Sequence, residues 1–213
     1  MRQQKNKILR NYMPNSRIEV CGGIASGKTT FATLMRRIGI EPIFEHFKTN
    51  PFWQDFYSNP VKYAFETEIT FLLQHYNQIK KNTTFNKMVI CDFSFLLDFA
   101  YAEIGLNGSK LKAFLLVYDE VKQDLPPLAL LVHLGCDAKT ELERIRNRGR
   151  AIEESINIEF LDALNRSLDR QVARIGDHSS VITIDSALKD FAHDESAKHE
   201  VIDLVSDFIV DLS

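Results

Sequence analysis

Several things are scarce in this sequence, and each scarcity removes a class of protein. No apolar run reaches the roughly twenty residues that span a bilayer. The first sixteen residues carry Arg2, Lys5, Lys7 and Arg10 but lack the apolar stretch of a secretory signal. They read as a mobile tail over 1–16, with the chain cytoplasmic and away from membranes. Cysteine is sparse: Cys21, Cys91 and Cys136 lie far apart, without metal-ligand spacing, beside β-branched or leucine-rich runs where a reduced thiol packs as a small apolar group. A basic excess is also missing, since 26 Lys and Arg face 29 Asp and Glu for a net charge of −3. That argues against a nucleic-acid binder, which shows a broad basic surface, but leaves small anionic ligands open. No repeat, low-complexity stretch or linker interrupts the 213 residues, so 17–213 reads as one domain.

What is present alternates between strand and helix signals, the pattern of an α/β fold with a parallel sheet covered on both faces. Strands are expected at Arg17–Cys21, Pro42–Phe47, Lys87–Asp92, Leu128–Leu134 and Val181–Ile184. Helices are expected at about Lys28–Ile38, Pro60–Lys81, Phe93–Glu103, Ser109–Gln123, from Ala138, at Ile158–Ile175 and at Ser196–Ile209. The long Pro60–Lys81 segment repeats apolar residues (Tyr63, Phe65, Ile69, Leu72, Leu73, Tyr76) at helical spacing.

The strongest local signal is Gly22-Gly23-Ile24-Ala25-Ser26-Gly27-Lys28-Thr29, which fits G-x-x-x-x-G-K-[ST] at every required position. Such a loop turns backbone amides inward around phosphate oxygens, and the helix it opens adds unpaired N–H groups and the positive dipole end. Gly22, Gly23, Ala25, Ser26, Gly27 and Thr30 belong to this cradle. Lys28 reaches the β- and γ-phosphates of ATP, and the Thr29 hydroxyl is placed to hold Mg²⁺. A GTPase is not expected, because the Asn/Thr-Lys-x-Asp run by which such proteins read the guanine of GTP does not occur. Further along, Arg144, Arg146, Arg148 and Arg150 crowd a helix end and the loop after it. Arg144 and Arg148 share a face, so both can converge on one anion as a phosphate-clamping lid.

At this point the chain resembles the deoxynucleoside kinase family. The resemblance runs from about Ile18 to Phe191. It rests on the phosphate loop, Glu45 followed by Asn50-Pro51-Phe52, Phe56-Tyr57 with Pro60, Asp92 with Ser94, Arg148-Gly149-Arg150 with Glu153, and Asp185 with Asp190-Phe191. It implies a P-loop kinase three-layer sandwich with five parallel strands and an arginine-rich lid. The reaction implied is transfer of the γ-phosphoryl of ATP to the 5′-hydroxyl of a deoxynucleoside, by a helix-packed homodimer. By the same resemblance Glu45 is the general base, Tyr57 and Glu153 bind the 3′-hydroxyl, and Asp92 is the acid near Mg²⁺. Arg144, Arg148 and Arg150 stabilise charge on the transferring group, and Asp185 to Phe191 form the loop beneath adenine.

The sequence departs from the family in three places. Asp/Glu-Arg-Ser/Thr is usual after the third strand, and here Asp92-Phe93-Ser94 replaces the arginine. The long helix usually carries Gln and, seven residues on, Arg; this chain has Glu68 and His75, still on one face because seven residues is two turns. Tyr101 stands near the usual base-stacking Phe, with Asp98 close by. An ionised Glu68 is acceptor-only and wants two donors side by side, which guanine offers at N1–H and N2, so deoxyguanosine is the expected preference. Two other readings stay open. One is a small P-loop kinase for another acceptor, although Arg36 and Arg37 lie on the wrong helix to bind an acceptor phosphate. The other is a nucleotide-binding regulatory protein without turnover, for which Phe93 is the motive.

Overall fold

The computed structural model describes residues 16–83, 87–175 and 181–211. The expected tail, apart from Ser16, lies outside these residues; Ser16 itself is buried and its carbonyl accepts the Val89 N–H. Five parallel strands make the sheet: β1 (Arg17–Gly22), β2 (Glu41–Ile43), β3 (Val89–Cys91), β4 (Leu128–Gly135) and β5 (Val181–Asp185), in the order β2-β3-β1-β4-β5. The helices are α1 (Lys28–Leu34), α2 (Trp53–Ser58), α3 (Pro60–Asn82), α4 (Phe95–Gly105), α5 (Gly108–Gln123), α6 (Ala138–Arg148), α7 (Ile158–Ile175) and α8 (Glu195–Asp211). This is the three-layer α/β architecture with a five-stranded parallel sheet expected from the sequence. Among the described residues no helix is long and apolar enough to cross a membrane.

Strand periodicity explains the layers. Ile18 and Val20 of β1, Ile90 of β3 and Leu130, Val132 and Leu134 of β4 join one buried cluster with α1 and α8. The alternate positions turn the other way: Val89 and Cys91 pack on α3, α4 and α5, while Cys21 and Leu131 pack on α4, α6 and α7. Both faces of every central strand are covered, as a parallel sheet requires.

One polar pair interrupts the apolar strands. Arg17 donates through Nε to Glu19 Oε1 at 2.6 Å, with side chains 5% and 2% exposed. The second Glu19 oxygen accepts the Phe95 N–H at 3.0 Å, satisfying an amide at the start of α4. Ser94 caps the same helix by accepting the Leu97 N–H. A polar pair inside the sheet thus fixes where α4 begins.

Three elements are shorter than expected. The helix after the phosphate loop is α-helical only to Leu34 and finishes as a 3-10 turn over Met35–Ile38. The third strand is the shorter Val89–Cys91. The second strand stops at Ile43 rather than Phe47, because side chains take over its backbone groups: Asp92 accepts the Glu45 N–H and Gln78 donates to the Phe44 carbonyl. Helix α2 was not anticipated. It is set up by buried Asn50, which donates to the Thr67 carbonyl and accepts the Phe52 N–H.

Glu19→Ala is expected to lower stability by about 3–5 kcal/mol, because it strands a buried guanidinium. Urea midpoints should show the loss, and Arg17→Met with Glu19→Leu should recover most of it, short of the Phe95 amide bond.

Candidate active site

Register brings the site together. Ile43 pairs with Cys91, and Cys91 with Glu19, so the chain leaves β2, β3 and β1 at neighbouring points on the carboxyl edge of the sheet. That edge is where α/β folds place their ligands. A cavity of about 980 Å³ opens there. Of the site residues expected from sequence, all but Gly22, Gly23 and Asp185 line it.

The phosphate loop has the conformation its composition implies. Gly22 (φ 152°) has no room for a side chain, since a Cβ would lie 2.7 Å from the Leu134 carbonyl oxygen. Gly27 (φ 100°) lies in the left-handed region with the Phe191 ring 3.1 Å from where a Cβ would sit. Lys28 Nζ donates to the carbonyls of Gly22 and Gly23 at 2.9 and 2.7 Å, so these two glycines hold the lysine rather than line the cavity. Burial lowers the Lys28 pKa, opposed by the charges of Glu45, Glu141 and Asp92. The Ser26 hydroxyl is buried at the cavity wall with no partner among the described residues, a donor suited to a phosphate oxygen.

Thr29 and Asp92 meet as expected. The Thr29 hydroxyl donates to Asp92 Oδ2 at 2.7 Å, and Asp92 Oδ1 accepts the Glu45 N–H at 2.6 Å. Among the described residues no cluster of three or more acids, histidines or cysteines could cage a metal. One hydroxyl and one carboxylate fit Mg²⁺, which completes its shell with water and substrate phosphates.

The Glu45 carboxylate is 35% exposed, and its Oε1 accepts from His75 Nε2 at 3.2 Å. Burial works to raise the Glu45 pKa, but the hydrogen bond and charge of His75, with Lys28 and Arg150, hold it below the ordinary value. His75 uses its other nitrogen on Asp98, at 2.9 and 3.0 Å from the two carboxylate oxygens. Burial opposes a charge on this ring, yet the carboxylates of Asp98 and Glu45 outweigh it and push the pKa up to about 10. Both ring nitrogens are therefore engaged with Asp98 and Glu45, so His75, although on one face with Glu68, has no N–H left for a base. Glu68, 4% exposed, is also altered: burial, and then the charge of Asp98, raise its pKa well above the usual carboxylate value. Burial thus favours the protonated acid, with one donor and one acceptor, over the acceptor-only Glu68 expected from sequence.

On the lid, Arg144 donates to the carbonyls of Ser186 and Ala25, tying the loop after β5 to the phosphate loop. Arg148 does not converge with it in this structure; it makes a two-pronged pair with buried Glu153 at 2.7 and 2.8 Å, joined by Arg150 at 3.3 Å. Asp185 turns away from the cavity and accepts the N–H groups of Ala187 and Leu188, shaping its own loop. Tyr57 lies near enough to Glu153 for that charge to add to burial in raising its pKa. Tyr101 lines the cavity and packs near Phe160.

A sequence profile of the deoxynucleoside kinase family matches residues 18–210. The chain belongs to the deoxynucleoside kinase family. It is 28% identical over 201 residues to deoxyguanosine kinase of Bacillus subtilis, covering 91% of this chain and 97% of that protein. It is 26% identical over 184 residues to deoxyadenosine kinase of Dictyostelium discoideum, covering 83% and 75%. Among solved structures, deoxyadenosine kinase from M. mycoides with bound dCMP and dCDP superposes with a TM-score of 0.77 at 21% identity, over 92% of this chain and all of that one. The last likeness is one of fold. Membership makes the chain a kinase with a deoxynucleoside acceptor and ATP as phosphate donor.

Some residues of this deoxynucleoside kinase site escaped the sequence reading. Phe71 lines the cavity between Glu68 and His75 and stacks near His75; its i, i+3 spacing from Glu68 was a usable signal. Trp53 lines it from α2 with no signal beyond its size. Glu141 is fully buried beneath Gly23 and bonded to Asn165, with burial pushing its pKa up to about 7, although in sequence it reads as a helix-surface charge.

Gly27→Ala is expected to weaken ATP binding by about 5- to 140-fold, since a side chain at that φ costs roughly 1–3 kcal/mol. Calorimetric titration with ATP checks it.

Proposed function

We propose that this kinase transfers the γ-phosphoryl of ATP to the 5′-hydroxyl of a deoxynucleoside with Glu45 as general base, and prefers deoxyguanosine. The observation that carries the reading is the placement of Glu45 beside the phosphate loop. Its backbone is anchored by Asp92 and one carboxylate oxygen by His75, and it faces the cavity that Lys28 and Thr29 also line.

In this reading the loop amides, Lys28 and the Ser26 hydroxyl hold the phosphate chain. Glu45 takes the proton of the 5′-hydroxyl as the new O–P bond forms and the bond from Pγ to the β,γ-bridging oxygen breaks, leaving ADP. Thr29 and Asp92 would hold Mg²⁺, which would supply charge neutralisation at the phosphates. Arg144, Arg148 and Arg150 are the cations available to the developing charge, Arg148 and Arg150 by exchanging Glu153 for phosphate oxygens. Tyr57 and Glu153 lie where the sugar 3′-hydroxyl belongs. Tyr101 and Phe71 flank the base, and Phe191 packs under Gly27 toward the adenine of ATP.

Preference for deoxyguanosine takes its support from the relatives of that name and no longer from the charge of Glu68. A neutral Glu68 offers O–H and C=O together, complementary to guanine O6 and N1–H but also to the donor–acceptor edges of adenine and cytosine. The amide of glutamine presents the same pair, so Glu68→Gln should leave the order of substrates unchanged, whereas an ionised Glu68 would make the same substitution broaden it. A panel of four deoxynucleosides run on both forms decides this, and a clear win for deoxycytidine or thymidine contradicts the preference.

Lys28→Ala is expected to abolish transfer. Glu45→Gln should lower kcat by about 10²-fold or more with ATP binding nearly intact. ATP consumption with and without acceptor measures both, and wild-type turnover in Glu45→Gln removes it as the base.

A further inference from the structure

We propose that His75, as an imidazolium clasped between Asp98 and Glu45 and stacked on Phe93, is the positioning residue that orients the catalytic base. The inference rests on the reading of Glu45 as that base.

The geometry argues for the charged ring. Nδ1 of His75 sits 2.9–3.0 Å from both oxygens of Asp98, and Nε2 sits 3.2 Å from Glu45 Oε1. A neutral imidazole has one N–H, so one of its nitrogens would turn a lone pair toward a carboxylate, while an imidazolium donates to both. Its ring is 3% exposed and lies nearly parallel to Phe93, with centroids 4.1 Å apart and 10° between planes. Phe71 closes the other direction at 5.8 Å. The aromatic neighbours hold the ring plane, and the acids at its two ends fix its rotation about that plane.

The consequence falls on Glu45. This residue lies two positions beyond the end of β2, in a segment without ladder bonds, and its side chain is only partly buried. Two contacts fix it: Asp92 on its backbone N–H and His75 on Oε1. Among the described residues no lysine or arginine hydrogen-bonds or ion-pairs with Glu45, so His75 is the cation in contact with it. Oε2 is left without a protein partner among the described residues and is the oxygen open to a substrate hydroxyl. The base is thereby oriented by a third group, as in other acid–base sites. The charged groups around His75 are Asp98 on α4, Glu45 after β2 and Glu68 two turns back on α3, with Lys28 beyond Glu45. Asp98 and Glu45 are the two carboxylates hydrogen-bonded to the ring, and burial pushes Glu68 toward its protonated form.

The test combines a spectroscopic arm and a kinetic arm on the full chain. Nitrogen-15 spectra of the wild-type histidines at pH 8 should show one imidazole with both nitrogens protonated, assigned to His75 by its loss in His75→Gln; a neutral tautomer there overturns the proposal without any activity measurement. In kinetics, His75→Gln should lower kcat at least tenfold with the ATP KM within about twofold of wild type. His75→Arg, which restores a cation able to reach both acids, should recover at least fivefold over His75→Gln. Wild-type kcat in His75→Gln, or equal loss in the Gln and Arg variants, overturns the role. Glu45→Gln separates the two failures: full turnover in that variant brings down the base reading and this inference together, whereas its expected loss beside an unaffected His75→Gln brings down the inference alone.

Discussion

Both oxygens of the Asp92 carboxylate are bonded, one to the Thr29 hydroxyl at the head of α1 and the other to the backbone N–H of Glu45. That single side chain joins the phosphate loop to the end of the second strand, and the rest of the site depends on it. Asp92 can do this because β1, β3 and β2 lie side by side in register, so three loops that are distant in sequence leave the sheet at one place. Burial raises the pKa of Asp92, while the bonds from Thr29 and Glu45 pull it back toward the charged form. The same bond cuts β2 short, so the backbone at Glu45 is free to aim its carboxylate into the cavity rather than along a ladder.

The acceptor half of the cavity is rich in acids, and burial and pairing sort them. Glu153 is paired with two arginines, Asp98 and Glu45 share the His75 ring, and Glu68 is left to burial, which favours its protonated form. Each arrangement avoids an unpaired buried charge, the costliest state available to a carboxyl group. The position where the family has an arginine holds Phe93, 1% exposed, and the ring stacked on it is His75. On the proposal above, His75 supplies beside Glu45 the cation that the sequence lacks at position 93.

Features carried by contiguous or periodic residues were legible from sequence. The phosphate loop is eight consecutive residues, and α3 and α7 announce themselves through apolar spacing, α7 with the bounds expected of it. Features made by distant partners were not. The early end of β2 depends on Gln78 and Asp92, 34 residues from Phe44 and 47 from Glu45. The occupation of both His75 nitrogens depends on Asp98 and Glu45, 23 and 30 residues away. The upward push on the Glu68 pKa depends on how deeply α3 is buried, which its own sequence does not state. Arg148 reads as a phosphate ligand by pattern, yet folding also offers it Glu153 five residues on.

The claim on which the account turns is that the acceptor hydroxyl meets Glu45 in line with the phosphate held by the loop. A crystal structure with deoxyguanosine and a non-hydrolysable ATP analogue tests it directly. The account predicts the 5′-oxygen about 2.6–3.2 Å from Glu45 Oε2 and roughly opposite the β,γ-bridging atom. A bound deoxynucleoside whose 5′-oxygen lies beyond hydrogen-bond reach of Glu45, with another side chain in contact, would contradict it.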